Sequence, residues 1–178
     1  KRVFALCENG KYHRIEVEDD VTVLAEYPNG ATGVYITTTG EAPGTNRLEI
    51  TGSCGKAVVE DRTLKVWTLD TPEPVFSQSC RESFGVPRGT CEQIEPEGEE
   101  TAHPGILRDW AEAILHGTPL LAPGVEGIRA LQISNAIHLS AWQQRWVDVP
   151  ADEDVFLAEL NKRIASSHYH RGKEYEGC

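Results

Sequence analysis

The first half of the chain alternates between apolar and polar residues with a period of two, the pattern typical of β-strands. The alternation is most regular in Asp20–Tyr27, and the turn Pro28-Asn29-Gly30 follows directly. The predicted strands are Lys1–Cys7, Asp20–Tyr27, Ala31–Thr39, Arg47–Thr51, Ala57–Glu60 and Thr63–Leu69. No helix-length pattern interrupts them, so we expect mainly antiparallel pairing.

The two faces of these strands differ in an informative way. One face carries residues suited to a core, namely Val34, Ile36, Leu64 and Val66. The alternate positions carry large or amphipathic side chains, namely Tyr35, Thr37, Lys65 and Trp67. A partner subunit can cover such a second face, and these four are the predicted interface residues. A half-exposed sheet with scattered aromatic residues is the alternative.

The second half of the chain changes to the helical period. A stretch from Pro72 to Glu100 is poor in apolar residues and is predicted as a long irregular excursion. The predicted helices then begin at His103-Pro104, at about Val125, and at Glu153 after the capping residue Asp152. Strands first and helices afterwards predict an α+β fold, an antiparallel sheet with helices packed on one face. We expect one domain over residues 1–165 and a flexible tail over residues 166–178.

Composition excludes several classes of protein. A chain of 178 residues with a formal charge of −11 lacks the clustered cations that nucleic acids or anionic membranes require. No apolar run reaches the length of a membrane span. The five cysteines are expected to be reduced thiols of a cytoplasmic protein, although Cys80 and Cys91 could pair. The chain has no methionine and opens directly in a strand pattern, so we expect a piece of a longer protein.

Few residues suggest chemistry. His168 and His170 could bind a metal only with a third ligand, and a polar tail is the simpler interpretation. His138 lies in a predicted buried helix, where a hydrogen-bonded core role is expected before a catalytic one. Asp19 and Asp20 are interpreted as turn charges. No GxGxxG, P-loop, GxSxG or HExxH motif is present, so the chain shows no catalytic apparatus and no metal site of its own.

Four residues are candidates for substrate binding. His103 stands where the long loop meets a helix, a position suited to anionic or hydroxyl-bearing ligands. The loop Gly40–Arg47 carries Glu41, Asn46 and Arg47, which can bond hydroxyls or a carboxylate. The alternative is a structural loop in which Arg47 pairs with a local acid.

Two long blocks of the chain carry a recognisable order of motifs. The first is "EVEDDVTVLAEYPNGATGVYITTTGEAPGTNRLEITGSCGKAVVED", with the NGATG turn and the LEITGSCG strand end. The second is "HPGILRDWAEAILHGTPLLAPGVEGIRALQISNAIHLSAWQQRWVDVP". Over about Val17–Pro150 they resemble the C-terminal domain of the Gfo/Idh/MocA oxidoreductases, mostly at glycines and apolar positions.

The resemblance implies the second domain of a two-domain dehydrogenase. NAD or NADP would bind the N-terminal Rossmann domain of the full-length protein, and this chain alone would bind neither and be inactive. The substrate would be a sugar, a polyol or a related compound. The open sheet face would pair subunits into a homodimer or homotetramer. No catalytic or cofactor residue of the family has a match in this sequence.

Two other interpretations stay open. One is a non-enzymatic β-rich module that binds carbohydrate or serves assembly, which an exposed aromatic platform on an unpaired sheet would favour. The other is a family member that has lost its chemistry and acts as an interaction scaffold.

Overall fold

A computed structural model describes residues 1–95 and 102–168 of the chain, and it has the α+β fold expected from the sequence. The described strands are β1 (Arg2–Asn9), β2 (Glu18–Glu26), β3 (Thr32–Thr38), β4 (Arg47–Gly52), β5 (Gly55–Glu60), β6 (Thr63–Leu69), β7 (Gly89–Ile94) and β8 (Val147–Asp148). The described α-helices are α1 (Glu73–Ser79), α2 (Ala102–His116), α3 (Gly127–Gln143) and α4 (Glu153–Ser166). The predicted helices therefore form, each within a few residues of its expected start.

The strands form two four-stranded antiparallel sheets rather than the one sheet expected. Sheet A has the order β3-β2-β1-β8, and sheet B has the order β4-β5-β6-β7. The chain also divides into two compact units, one formed by Lys1–Ala42 and Pro104–Cys178 and the other by Pro43–His103. That residues 1–165 form a single domain stays a prediction, and the structure divides the chain into these two compact units.

The core of the first unit lies between sheet A and α3. Val3 pairs with Ala25 and Ala5 pairs with Val23, and residues directly opposite each other lie on the same face of a sheet. These residues form the face of sheet A that packs against α3. The buried residues of this core are Val3, Ala5, Val21, Val23, Ala136, Leu139 and Val147. Only the C-terminal half of α3 contributes buried residues, whereas Ile128, Leu131 and Ile133 nearer its start are exposed.

A buried serine joins α3 to the edge of sheet A. Strand β8 pairs only with the first two residues of β1, so the backbone of Ala5 has no strand partner on that side. Ser140 replaces the missing partner, because its Oγ accepts a hydrogen bond from Ala5 N at 3.0 Å and donates one to the Arg145 carbonyl at 2.6 Å. This bridge fixes the position of α3 on the sheet.

The second unit contains regular structure where the sequence predicted a long irregular excursion. Within Pro72–Glu100, α1 follows Pro72 and β7 pairs with β6 from Leu64↔Ile94 to Leu69↔Gly89. The prediction was wrong because β7 is an exposed edge strand, and such a strand does not need the apolar alternation on which the assignment depended. Residues 96–101 lie outside the described part of the chain.

The described cysteines Cys7, Cys54, Cys80 and Cys91 are all free thiols. Among the helices of the described residues, none combines the length and apolar character needed to cross a bilayer. Helix α4 reaches Ser166, and residues 169–178 of the predicted tail lie outside the described residues, as does His170.

Candidate functional site

A groove with a volume of about 1120 Å³ opens in the first unit between α3, α4 and the segment that joins β1 to β2. We call it the α3–α4 groove. The lining residues that matter for its chemistry are Asn9, Arg14, Glu18, Asn135, His138 and Trp142. A volume of this size is sufficient for a small organic ligand.

A β-bulge places Glu18 in this groove. The β1–β2 register runs from Arg2↔Glu26 to Glu8↔Asp20 and then shifts, so that Asn9 pairs with Glu18 and Asp19 is the extra residue. Strict alternation would turn Glu18 to the same side as Asp20, away from α3. The extra residue reverses its direction, and bulges commonly re-aim a side chain in this way.

The extra residue, Asp19, is held by its own hydrogen bonds. Its side chain is buried, with only 3% of the residue exposed. The carboxylate accepts from the backbone N–H groups of Lys11, Tyr12 and His13 at 2.9, 2.8 and 2.9 Å. Burial by itself would raise the pKa of Asp19, but these donors outweigh it and lower the pKa to about 2. The turn role expected for Asp19 thus has a specific form, since the residue anchors the segment that borders the groove.

Glu18 forms a hydrogen-bonded pair with His138 of α3. The His138 Nδ1 lies 2.9 Å from the Ser134 carbonyl oxygen, and Nε2 lies 2.8 Å from Glu18 Oε1. A carbonyl oxygen only accepts, so Nδ1 is the donor in the contact with Ser134. Nε2 faces the Glu18 carboxyl, and this contact holds the two side chains together at the wall of the groove.

A thiol lies beside this pair. Cys7 lines the groove together with Glu18 and His138. Burial, then the charges of Glu18 and Glu8, raise the pKa of the Cys7 thiol to about 11. Cys7 is consequently a neutral thiol near neutral pH and not a poised nucleophile.

The opposite wall is a stack of aromatic and cationic side chains. Trp142 stacks on Phe156 with ring centroids 5.4 Å apart, and the Arg163 guanidinium lies 4.1 Å above the Trp142 ring. Arg163 also donates to Glu159 Oε2 at 2.9 Å. The contacts with Phe156 and Arg163 hold Trp142 in place in the wall of the groove.

Three polar side chains of the groove have no partner within the described residues. They are the amides of Asn9 and Asn135 and the guanidinium of Arg14. Two amides and a guanidinium offer both donors and acceptors to a ligand. These residues, with Glu18 and Cys7, were missed in the sequence, where nothing in their spacing joins them. The position of His138 on an apolar helix was the one available signal.

The four substrate-binding residues predicted from the sequence do not line this groove. Arg47 is the first residue of β4, and its guanidinium donates to Glu60 Oε2 and Glu49 Oε2, each at 2.6 Å. This pairing with local acids is what the alternative of a structural loop predicted. Glu41 and Asn46 are exposed in the loop before β4, and His103 is the exposed second residue of α2. Their role in substrate binding stays a prediction.

The four predicted interface residues divide between the two sheets. Tyr35 and Thr37 pair with Val23 and Val21, so they face the same side of sheet A as α3. Lys65 and Trp67 lie in sheet B, where Trp67 pairs with Lys56 and Cys91.

The core role predicted for Val34 and Ile36 is wrong. Both lie on the face of sheet A that α3 does not cover, and each is 66% exposed. Alternation separated the two faces of β3 correctly but did not reveal which of them the helix covers.

The described residues contain no group of three or more His, Cys, Asp or Glu side chains placed to hold a metal ion. The backbone N of His168 instead donates to Glu16 Oε1 at 2.9 Å. This contact ties the end of α4 to the segment between β1 and β2.

Comparison with known proteins agrees with the fold. Residues 1–58 match the family model of the GFO/IDH/MocA C-terminal domain. The resemblance recognised in the sequence is therefore confirmed, and solved dehydrogenases share the α+β fold of the chain. A search of curated proteins gives no match.

Three solved structures illustrate the likeness. The WlbA dehydrogenase from Bordetella pertussis, in complex with NADH and UDP-GlcNAcA, is 19% identical with a TM-score of 0.60, over 85% of this chain and 41% of its own. Levoglucosan dehydrogenase, in complex with NADH and levoglucosan, is 20% identical with a TM-score of 0.61, over 85% and 45%. Aldose-aldose oxidoreductase from Caulobacter crescentus, complexed with glycerol, is 20% identical with a TM-score of 0.60, over 83% and 41%. The chain thus spans less than half the length of these enzymes.

The described residues lack the common dinucleotide-binding arrangement. In that arrangement a parallel strand passes through a glycine-rich turn into a helix. Every strand pairing in the described part of the chain is antiparallel, and the sequence contains no GxGxxG turn.

Proposed function

We propose that this chain is the substrate-side and oligomerisation domain of an NAD-dependent or NADP-dependent oxidoreductase that acts on a sugar, a polyol or a related compound. The match of residues 1–58 to the family model carries the proposal. The shared fold with dehydrogenases crystallised with NADH supports it. The four free thiols suit a cytoplasmic protein.

Cofactor binding belongs, in this proposal, to a separate dinucleotide-binding domain. Helix α2 supports the presence of a further partner, because none of its residues is buried. Its exposed apolar residues are Ile106, Leu107, Trp110, Ile114 and Leu115. An apolar stripe of this length on a helix normally packs against another structure. Alone, the chain lacks a hydride carrier and is inactive.

Self-association uses the face of sheet A that α3 does not cover. We call it the outer face of sheet A. Strand register places Phe4, Leu24 and Val34 in one row and Leu6, Thr22 and Ile36 in the next. Leu6, Leu24, Val34 and Ile36 are all exposed, which makes a contiguous apolar patch. A second copy of the chain is the occupant that we propose, in a homodimer or homotetramer, while an interface through Tyr35, Thr37, Lys65 and Trp67 stays a prediction from the sequence.

A paired assay tests the function. The complete gene product that contains this chain is expected to reduce NAD or NADP in the presence of at least one member of a panel of aldoses, polyols and uronates. The 178-residue chain is expected to reduce neither with any member. Absence of turnover by the complete gene product across the panel would contradict the oxidoreductase assignment. Turnover by the chain alone would contradict the proposal that catalysis requires a further, dinucleotide-binding domain.

A further inference from the structure

The charged side chains of the α3–α4 groove differ in whether they have a hydrogen-bond partner. Glu16 accepts from Ser167 Oγ at 2.5 Å and from the His168 backbone at 2.9 Å. Glu18 is bonded to His138, and Arg163 is bonded to Glu159. Within the described residues, Arg14 is the charged side chain of the groove that has no partner. The Arg14 guanidinium is therefore available to a carboxylate, in a groove that also carries the carboxylates of Glu16 and Glu18.

Hydroxyl-recognising groups accompany this cation. The Asn9 and Asn135 amides line the same groove and, in the described structure, have no side-chain partner. The Glu18–His138 pair adds carboxylate oxygens and an imidazole that lie within hydrogen-bond distance of each other. Amides and carboxylates suit vicinal hydroxyl groups because each offers a donor, an acceptor or both at a fixed position. The apolar wall of Trp142 and Phe156 completes a site with few polar groups on an apolar surface.

We propose that the α3–α4 groove binds a hydroxylated carboxylate of the sugar-acid class, with the carboxylate on Arg14 and the hydroxyl groups on Asn9, Asn135 and the Glu18–His138 pair. Arginine is suited to this role because its planar fork binds a carboxylate through two parallel hydrogen bonds. The volume of about 1120 Å³ accommodates a monosaccharide acid with room for a substituent. The choice of a sugar-like ligand rests on the proposed function, whereas the site itself rests on the groove.

The test is a titration of the 178-residue chain with D-glucuronate, followed by chemical-shift changes in two-dimensional NMR. D-Glucose and acetate are the matched probes, since each retains only one half of the proposed recognition. Glucuronate is expected to bind at least about fivefold more tightly than either probe, with the shift changes centred on Asn9, Arg14 and Asn135. Binding needs neither cofactor nor turnover, so its failure would leave the oxidoreductase assignment intact.

Variants separate the site from general charge effects. Arg14→Gln is expected to weaken glucuronate binding about tenfold, because a charge-assisted bidentate contact is lost. Asn135→Ala is expected to weaken it less, because one neutral hydrogen bond to a hydroxyl group is lost. Arg108→Gln removes an exposed arginine of α2 outside the groove and is expected to change nothing. The proposal is overturned if acetate or glucose binds as tightly as glucuronate, if glucuronate does not saturate, or if Arg14→Gln behaves like Arg108→Gln.

Discussion

Replacing Ser140 by alanine tests how α3, the helix that carries Asn135 and His138, is fixed to sheet A. Continuing the β1–β8 register by two residues would set Ala5 opposite Arg145, but β8 is too short to make that pair. The Ser140 hydroxyl stands between them, accepting from Ala5 N and donating to the Arg145 carbonyl. Ser140 and Ala5 are both 0% exposed, so water cannot replace the lost oxygen at the Ala5 amide.

The expected loss follows from these contacts. A buried backbone N–H without a partner costs about 1–3 kcal/mol. The Arg145 carbonyl belongs to an exposed residue and can be hydrated, so it adds little. We therefore expect Ser140→Ala to lower the free energy of unfolding by about 2 kcal/mol. For a chain of this size that corresponds to a melting temperature lower by roughly 4–8 °C.

Urea unfolding followed by circular dichroism measures this loss. Ser134→Ala is the matched control, since it removes a serine hydroxyl from the same helix. Its Oγ lies 3.5 Å from His138 Nδ1, and the stronger bond of that nitrogen goes to the backbone carbonyl, which alanine keeps. The control should lose less than about 0.5 kcal/mol. Equal losses in the two variants would refute the special role of the Ser140 bridge.

Two further predictions concern protonation. The pKa of Asp19 is lowered to about 2 by the backbone amides that outweigh its burial, and that of Glu26 is lowered to about 2, first by its hydrogen bond to Arg2. Both carboxyl groups titrate near pH 4 in the unfolded chain, so the stability they provide is present above about pH 4 and is lost between about pH 4 and pH 2. The urea midpoint of unfolding should therefore fall less steeply with decreasing pH for Asp19→Asn than for the unmodified chain. An unchanged slope would contradict the role of Asp19. The pKa of Cys7 is raised to about 11, so we expect iodoacetamide at about pH 8 to modify the exposed Cys54 and Cys91 before Cys7. Peptide mass mapping measures the order of modification. Earlier modification of Cys7 would contradict its assignment as a neutral thiol.

The sequence was sufficient for β1 to β6 and for α2 to α4 because each has a clear local period. The turn at Pro28-Asn29-Gly30 joins β2 to β3 as expected, and Asp152 caps α4 through its bond to the Val155 amide at 3.0 Å. Strand β7 was missed because pairing with β6, and not its own composition, makes it a strand.

The candidate site was less accessible to prediction. Glu18 reaches the groove only because one extra residue, Asp19, shifts the register of β1 and β2. The Asp19 carboxylate stabilises this shift by accepting hydrogen bonds from backbone amides, and no pattern of side chains in the sequence reveals such bonds. The choice between the two faces of β3 depends on where α3 packs, a contact between residues more than a hundred positions apart. The pairing of Arg47 with Glu49 and Glu60 was predicted only as an alternative to ligand binding. Glu60 lies on the neighbouring strand β5, so its contact with Arg47 depends on the strand pairing and not on nearness in the sequence.

Multi-angle light scattering on a sizing column, over a range of concentrations, tests the oligomerisation domain most directly. Ile36→Lys places a charge on the outer face of sheet A, whereas Tyr35→Lys places it on the adjacent residue, which faces the side of α3 and is similarly exposed at 57%. The account predicts a dimer or tetramer for the unmodified chain and for Tyr35→Lys, and a monomer for Ile36→Lys. A monomeric unmodified chain, or dissociation by Tyr35→Lys and not by Ile36→Lys, would contradict it.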